Sequence, residues 1–480
     1  MKEKIAIVGA GVGGLATAAR LSYLGYDLEV YEKLPECGGR AHLIEDRGFK
    51  FDTGPSFVLM PDFFKEVFEF CKKDISDYLS LVTLDTNYKI FYPDGKTLTI
   101  YQDKAKTESE LEKIEPGASL GYNKFLQATE KIYQSVKPLL YRCFSKADLL
   151  RPSTWALIKK LNIGKTYWQL AKKYFKSPEL CYAFTFEAMF IGVSPFSTPS
   201  FYSVITYSDH VEKIRHPMGG MYQIPLALEK MAKEFGAKFH YNFEVDKIKK
   251  EDRFLIMSGE KKKSADKVIV NADWPYTNQG ILKRKIAKLK YSCSVYLIYL
   301  GLIEKVEALE HHNLFFAKDL PKNLADIFTN SKVPDDPSFY IHVPTRTDPG
   351  LAPQGKDIAY ILVPVPNLEK KYYFKDHEEM IRDTIFNLVK DKLGVDLRDL
   401  IEVEHRFYPD DFIERYNILN AATFGLSHNF FQSAFFRPTN FDSKLKGLYH
   451  VGASTQPGGG LPTVLASSKI VTDLIASGRF

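Results

Sequence analysis

The 480-residue chain is short of the features that mark several large protein classes. No apolar run approaches the ~18–20 residues of a spanning helix, which argues against an integral membrane protein. The five cysteines, Cys37, Cys71, Cys143, Cys181 and Cys293, are scattered, odd in number and never spaced C-x-x-C. This argues against a disulfide framework and fits a reducing cytoplasm. The 11 histidines show no metal-ligand spacing, and the adjacent His311-His312 reads as a surface loop. A formal net charge of +6 is too mild to indicate nucleic-acid binding. Internal repeats and low-complexity tracts are lacking, apart from the short charged tip Glu260 to Lys263. The opening MKEK runs straight into an apolar stretch, which predicts no signal peptide. What the chain has in excess is aromatic residues, 14% with 35 Phe and 28 Tyr, so a large apolar interior or an apolar ligand is expected. Its length predicts two or three domains.

The segment Ile5 to Arg40 carries the most information. Ile5 to Val8 suits a strand buried on both faces. Gly9, Gly11 and Gly14 then spell G-x-G-x-x-G where a helix should begin. Such glycines permit a tight turn, close approach of the backbone to a pyrophosphate, and close packing of helix on strand. The helix N-terminus offers free N–H groups to phosphates. A second strand, Asp27 to Tyr31, ends at Glu32, whose carboxylate would accept from a ribose diol and repel a 2′-phosphate. Lys33 follows it. Gly38, Gly39 and Arg40, then Gly54, Pro55 and Ser56, supply further loops that suit a flavin dinucleotide better than NAD. With these residues the chain resembles the FAD-dependent amine oxidase and carotenoid desaturase superfamily.

Further along, Phe63 to Cys71 reads as a helix with Asp62 as its N-cap, and Tyr88 to Tyr92 with Thr97 to Tyr101 as a hairpin. Tyr133 to Tyr207 combines many aromatics with Arg151, Lys159, Lys160, Lys165, Lys172, Lys173 and Lys176. Helical spacing puts Trp155, Ile158 and Leu161 on one face and Trp168, Ala171 and Phe175 on another. That pattern predicts helices lying in a membrane interface, with anionic lipid as partner. Helix Tyr222 to Phe235, strands Lys238 to Tyr241, Phe243 to Ile248 and Phe254 to Met257, and a buried strand from Lys267 follow. Ser294 to Leu302, Phe339 to Pro344 and Ile358 to Pro364 are strand-like, with one amphipathic helix from Asp376 to Leu393.

Near the end, GLYHVGASTQPGGGLPTVLASS (Gly447 to Ser468) reads as strand, glycine-rich turn and helix. It is similar to the closing motif of bacterial-type phytoene desaturases, as are Phe430 to Asp442 and Ser338 to Pro366. His450, Gln456 and Gly459 depart from the usual residues. The resemblance implies an α/β fold: a glutathione-reductase-like (Rossmann-type) FAD domain with a mixed-sheet substrate domain and a helical membrane-docking subdomain. It divides the chain into FAD-binding segments 1–80, 216–284 and 441–480, substrate segments 81–132 and 285–440, and a docking segment 133–215. It implies FAD contacts from Val245, Asn271, Gly452, Pro457, Gly458, Gly459, Gly460 and Leu461. It also implies a peripheral enzyme on the cytoplasmic side of the membrane. Such an enzyme dehydrogenates phytoene or a C30 analogue by hydride transfer to flavin and passes electrons to oxygen or a quinone. Asp148 and Arg151 align with a charged stretch of the family and are candidates for proton removal; Glu187 is a weaker one. Other readings are a carotenoid isomerase, hydroxycarotenoid desaturase or carotenoid oxidase, a soluble amine oxidase, or a non-enzymatic prenyl-lipid carrier. Intact flavin motifs disfavour the last.

Overall fold

The computed structural model describes residues 3–155, 161 and 164–478. Five strands form a parallel sheet in the order Leu448–His450, Lys267–Val270, Lys4–Val8 (β1), Asp27–Tyr31 (β2) and Lys238–His240. β1 lies at the centre, and Ile5 to Val8 are buried, as an apolar run without alternation requires. Ile5, Ile7, Leu28 and Val30 pack against the helix Val12–Tyr23 (α1) and the helices Gln223–Glu234 and Leu461–Ala476. Ala6 and Val8 point the other way, onto Phe243, Val245, Ile248, Phe254 and Ile256. The last three belong to an antiparallel sheet of Lys247–Lys250, Phe254–Ser258 and Lys261–Ala265.

A seven-stranded mixed sheet builds the other half of the molecule. Its strand Ser294–Leu302, second from one edge, is buried along its whole length and pairs on both sides. Tyr296, Ile298 and Leu300 face the helix Glu378–Leu393 through Ile381, Ile385 and Val389. Val295, Leu297 and Tyr299 face the opposite way, into a core shared with the helical region. The expectation of one large apolar sheet with a single covering helix matches this arrangement.

Several local expectations need correction. The helix after Val58 spans Pro61–Phe70, and Asp62 sits inside its first turn rather than capping it. Proline at the first helical position loses an N–H that has no intrahelical acceptor anyway. Phe243 to Asp246 is not strand: the chain leaves the sheet there, with the Phe243 N–H donating to the Glu32 carbonyl at 2.8 Å. Lys261 to Lys263 lie in a strand rather than a free tip. His311 and His312 are buried, not in a surface loop. In the aromatic–basic region, Tyr167, Leu170, Ala171 and Phe175 are core residues packed with Tyr122 and Phe125 of the helix Ala118–Val136. Helical periodicity there records burial against protein. Ile158, Lys159 and Lys160 lie outside the described residues. No helix among the described residues is long and apolar enough to cross a membrane.

Candidate active site

The turn from β1 into α1 is held by backbone contacts. The Gly9 N–H donates to the Tyr31 carbonyl and the Asn271 N–H to the Val8 carbonyl, both at 2.8 Å. A Cβ on Gly14 would lie 2.1 Å from the Gly9 carbonyl oxygen, so the first helical turn can sit on the strand end only with glycine there. A Cβ on Gly11 would lie 2.8 Å from Asn271 Nδ2, which puts Asn271 directly against the loop. No side chain caps α1, so its first N–H groups remain available, and Val12 and Gly13 line a cavity.

Glu32 sits at the exit of β2. Its carboxylate accepts from the Ala10 N–H at 2.6 Å and from the Leu34 N–H at 2.9 Å. Burial pushes its pKa up, and these two N–H groups act against that. Lys33 Nζ donates to the Glu414 carbonyl and to Asn417 Oδ1. Beside the first glycine loop, the Gly38 N–H donates to the Ala10 carbonyl at 2.9 Å. Arg40 donates to the Thr423 carbonyl at 2.6 Å, and burial lowers its pKa while Asp273 opposes the shift.

From the far end of the chain, residues 452–460 close over these loops. Arg437 is fully buried and donates to five carbonyls, those of Leu426, Ser427, Gln432, Ala453 and Thr455, at 2.5–3.4 Å. Burial brings its pKa down to about 10. His428 Nε2 accepts from the Gly459 N–H at 2.9 Å. Gln456 accepts from the Phe144 N–H and donates to the Phe144, Ala434 and Arg437 carbonyls. Gly460, with φ +110°, swings the chain into the helix Leu461–Ala476. The clasp of Arg437, His428 and Gln456 was not assigned from sequence. An arginine between two phenylalanines and a proline was the available signal, because a cation set among apolar neighbours must spend its donors on backbone.

One cavity of about 580 Å³ joins these parts. Gly9, Gly11, Glu32, Lys33, Gly39, Arg40, Gly54, Pro55, Ser56, Val245, Asn271, Gly452, Pro457, Gly458, Gly459, Gly460 and Leu461 all line it. Gly14 lies behind the loop and does not. The cavity continues into an apolar branch walled by Leu140, Phe144, Phe186, Met189, Phe190, Leu314 and Leu362. Polar groups are sparse there; Tyr340 donates to Ser56 Oγ at 2.9 Å and meets His312 Nδ1 at 2.6 Å. The donor set fits a dinucleotide: backbone N–H groups and glycines for a pyrophosphate, a carboxylate for a ribose, and an apolar extension beyond.

Asp148 and Arg151 are not among the residues lining this cavity. Asp148 accepts from the Ser145 N–H at 2.8 Å at the start of a short helical turn, and ion-pairs with Arg142 and Arg151 at 3.1 and 3.0 Å. The Ser145 N–H, and then the two arginines, hold its carboxyl below the usual range. Glu187 is also off the cavity. It is wholly buried beside Tyr167, and burial pushes its pKa up to about 8. The position of these three groups therefore lends no support to a proton-removing role.

The model of one protein family, described as flavin containing amine oxidoreductase, matches residues 12–476. The chain belongs to this family, and its cofactor is FAD. The zeta-carotene-forming phytoene desaturase of Myxococcus xanthus is 39% identical, over 98% of this chain and 93% of that protein. The 4,4'-diapophytoene desaturase (4,4'-diapolycopene-forming) of a Methylomonas species is 33% identical, over 99% and 95%. Among solved structures, cyclohexylamine oxidase from Brevibacterium oxydans superposes with a TM-score of 0.62 at 14% identity, covering 100% of this chain and 99% of that one; this likeness carries the fold alone. Within its family the chain thus stands among the carotenoid desaturases.

Proposed function

We propose that the protein is an FAD-dependent carotenoid desaturase that introduces C=C bonds into phytoene or its C30 analogue. The observation that carries this reading is the single cavity running from the dinucleotide loops into an apolar branch with almost no polar lining. FAD, when bound, supplies the two-electron acceptor for hydride removal. The chain's own residues bind and orient. Glu32 would hold the adenosine ribose; Gly9, Gly11, Gly39 and Arg40 the pyrophosphate; and the Val245 backbone the adenine. Asn271 stiffens the first loop. Gly54, Pro55, Ser56, Gly452, Pro457, Gly458, Gly459, Gly460 and Leu461 would close over the flavin end. Segments 1–80, 216–284 and 441–480 form the flavin domain in this reading. The aromatic and aliphatic walls would align a methylene of the substrate and exclude water.

A C30–C40 hydrocarbon at ~0.8 kcal/mol per CH₂ would cost on the order of 20–30 kcal/mol to carry through water. Such a substrate should pass directly from a bilayer, with the protein peripheral on its cytoplasmic face and electrons going on to oxygen or a quinone. The docking surface in this proposal takes Arg151 and Trp155 from the aromatic–basic stretch and joins them to residues near the end of the chain. It is an exposed apolar lip of Leu150, Trp155, Phe430, Phe431 and Phe436, with Leu150 85% and Phe431 75% exposed. Next to this lip, Phe144 and Phe435 line the cavity with ring centroids 4.6 Å apart. Arg142 and Arg151 add positive charge beside it.

Expression in a phytoene-accumulating bacterium, with chromatography of the pigments, tests the reaction: more conjugated products are expected. Unchanged phytoene and unchanged C30 precursor, from protein that retains FAD, would overturn the assignment. Co-sedimentation with anionic vesicles should weaken in Leu150→Ser/Phe431→Ser.

A further inference from the structure

Three buried histidines converge behind the cavity wall. His216 lies in the strand Arg215–Pro217, His311 precedes the strand His312–Phe315, and His342 ends the strand Phe339–His342. One ring nitrogen of each lies within 4.8 Å of the other two, and the Nε2 atoms of His311 and His342 are 3.0 Å apart. A tetrahedral ion with bonds of about 2.0–2.1 Å sets its nitrogens roughly 3.3 Å apart. One pair is thus near coordination spacing, and the widest separation has to close by no more than roughly 1.5 Å.

Hydrogen bonding alone accounts poorly for this cluster. Both ring nitrogens of His216 are buried without a hydrogen-bond partner on a side chain that is 0% exposed. Proteins seldom leave buried polar atoms in that state. His311 directs Nδ1 to Thr347 Oγ1 at 2.7 Å, which fixes the ring with Nε2 turned toward the other histidines. Metal-ligating imidazoles are commonly oriented by such a second partner. The charge partner is Asp348. Its Oδ2 lies 3.7 Å from His216 Nε2 and accepts from the Gly219 N–H at 2.5 Å.

We propose that His216, His311 and His342 bind one divalent late transition metal of the zinc class, with Asp348 completing the site. Imidazole nitrogens select such ions over Mg²⁺ or Ca²⁺, and three histidines with a carboxylate make a closed, structural set. The ion would pin two strands of the seven-stranded sheet to Arg215–Pro217. From there the chain runs through Met221 into the helix Gln223–Glu234 under the parallel sheet. His312, stacked on both His342 and the cavity-lining Phe57, transmits that brace to the cavity wall. The proposal is independent of which carotenoid is the substrate.

The test uses tag-free, FAD-loaded full-length protein, stripped with a chelator and titrated with Co²⁺. One equivalent should give the visible d–d absorption of a tetrahedral site, Zn²⁺ should displace it, and Tm should rise by about 4 °C or more. His216→Asn should lose the absorption and the Tm rise while keeping its flavin spectrum. If that variant does not fold, Asp348→Asn should weaken Co²⁺ binding at least tenfold. Wild-type protein showing no d–d absorption and no Tm change, or His216→Asn keeping both, overturns the proposal. Desaturation and flavin content, read on the same samples, separate this outcome from any failure of the assigned reaction.

Discussion

The two ends of the cavity are built on different principles. At the dinucleotide end, function rests on backbone: glycines whose Cβ atoms would strike carbonyls, N–H groups at an uncapped helix start, and one carboxylate fixed by two N–H donors. At the apolar end it rests on the shapes of side chains from the helical region and the seven-stranded sheet, with few polar atoms. Backbone geometry demands particular residues at particular spacings. An apolar wall demands only volume, which many residues can supply. The first end should therefore fail abruptly under substitution, and the second should drift.

The largest effect is expected at Gly14. A Cβ there meets the Gly9 carbonyl oxygen at 2.1 Å, a backbone atom that can yield only by moving the strand end. Gly14→Val should give protein with less than about a tenth of the normal flavin, because overpacking here costs well beyond the ~1–3 kcal/mol of a yielding core. Flavin absorbance per polypeptide measures this. Near-normal flavin content would show that the glycine loop tolerates displacement and would remove the contrast between the two ends.

Next comes Arg437, whose loss takes the donor from two carbonyls of the closing segment, Ala453 and Thr455, and from those of Leu426, Ser427 and Gln432 beside it. At ~1–3 kcal/mol for each buried group left unsatisfied, Arg437→Met should lower stability by several kcal/mol and speed FAD dissociation. Arg437→Lys should rescue only in part, since an ammonium cannot reproduce the guanidinium fork. Denaturant unfolding and flavin release rates check both. Equal behaviour of the Lys variant and wild type would mean that charge, not the fork, holds the loop.

The same contrast explains what could be read from sequence. Gly9, Gly11, Gly14, Glu32, Gly39 and Arg40 stand out because backbone geometry and phosphate or ribose binding call for particular residue types at fixed spacings, and in the fold the first glycine loop, Glu32 and the second loop meet within one region. In the aromatic–basic stretch, Tyr167, Leu170 and Phe175 carry the helical period of an interfacial helix yet bury it against Tyr122 and Phe125, while Leu150 and Trp155 stay exposed. Periodicity gives a face and does not name what covers it. His216, His311 and His342 were invisible for another reason. They come from two strands and the residue before a third, distant in sequence, and no local spacing links them. Asp148 draws attention by family alignment, and in the fold its carboxylate is engaged by the Ser145 N–H and by Arg142 and Arg151 away from the cavity lining.

Behind the apolar end, Glu187 offers a pH-dependent test. It is wholly buried, with Tyr167, Thr206, Asp209 and His210 among its polar neighbours, and its folded pKa of about 8 lies above the ordinary value of 4.5. Between those values the folded state keeps a proton that the unfolded state has lost. The contribution of Glu187 to stability should then fall as pH rises from 4.5 toward 8, by up to about 1.4 kcal/mol per pH unit, and level off above. Glu187→Gln should flatten that slope and leave FAD content unchanged. Unfolding curves at several pH values decide this, and a slope surviving the substitution would assign it to Asp209 instead.

The smallest effect on the protein, and the most informative about the substrate, is expected at Phe190. Its ring lines the apolar branch and packs on Phe57 at 4.6 Å and Phe186 at 5.4 Å between centroids. Phe190→Leu removes part of that wall without exposing a polar atom, so FAD content should not change and stability should fall by no more than about 1–2 kcal/mol. Selectivity is another matter. One methylene in an apolar pocket is worth ~1–3 kcal/mol, so a widened branch should shift the ratio of C30 to C40 products, or the number of double bonds introduced, by roughly tenfold. Pigment profiles from bacteria supplying each precursor would show it. If Phe190→Leu instead lost FAD and left the product pattern untouched, the apolar branch would be a structural extension of the flavin site. Substrate shape would then have to be read elsewhere on the molecule.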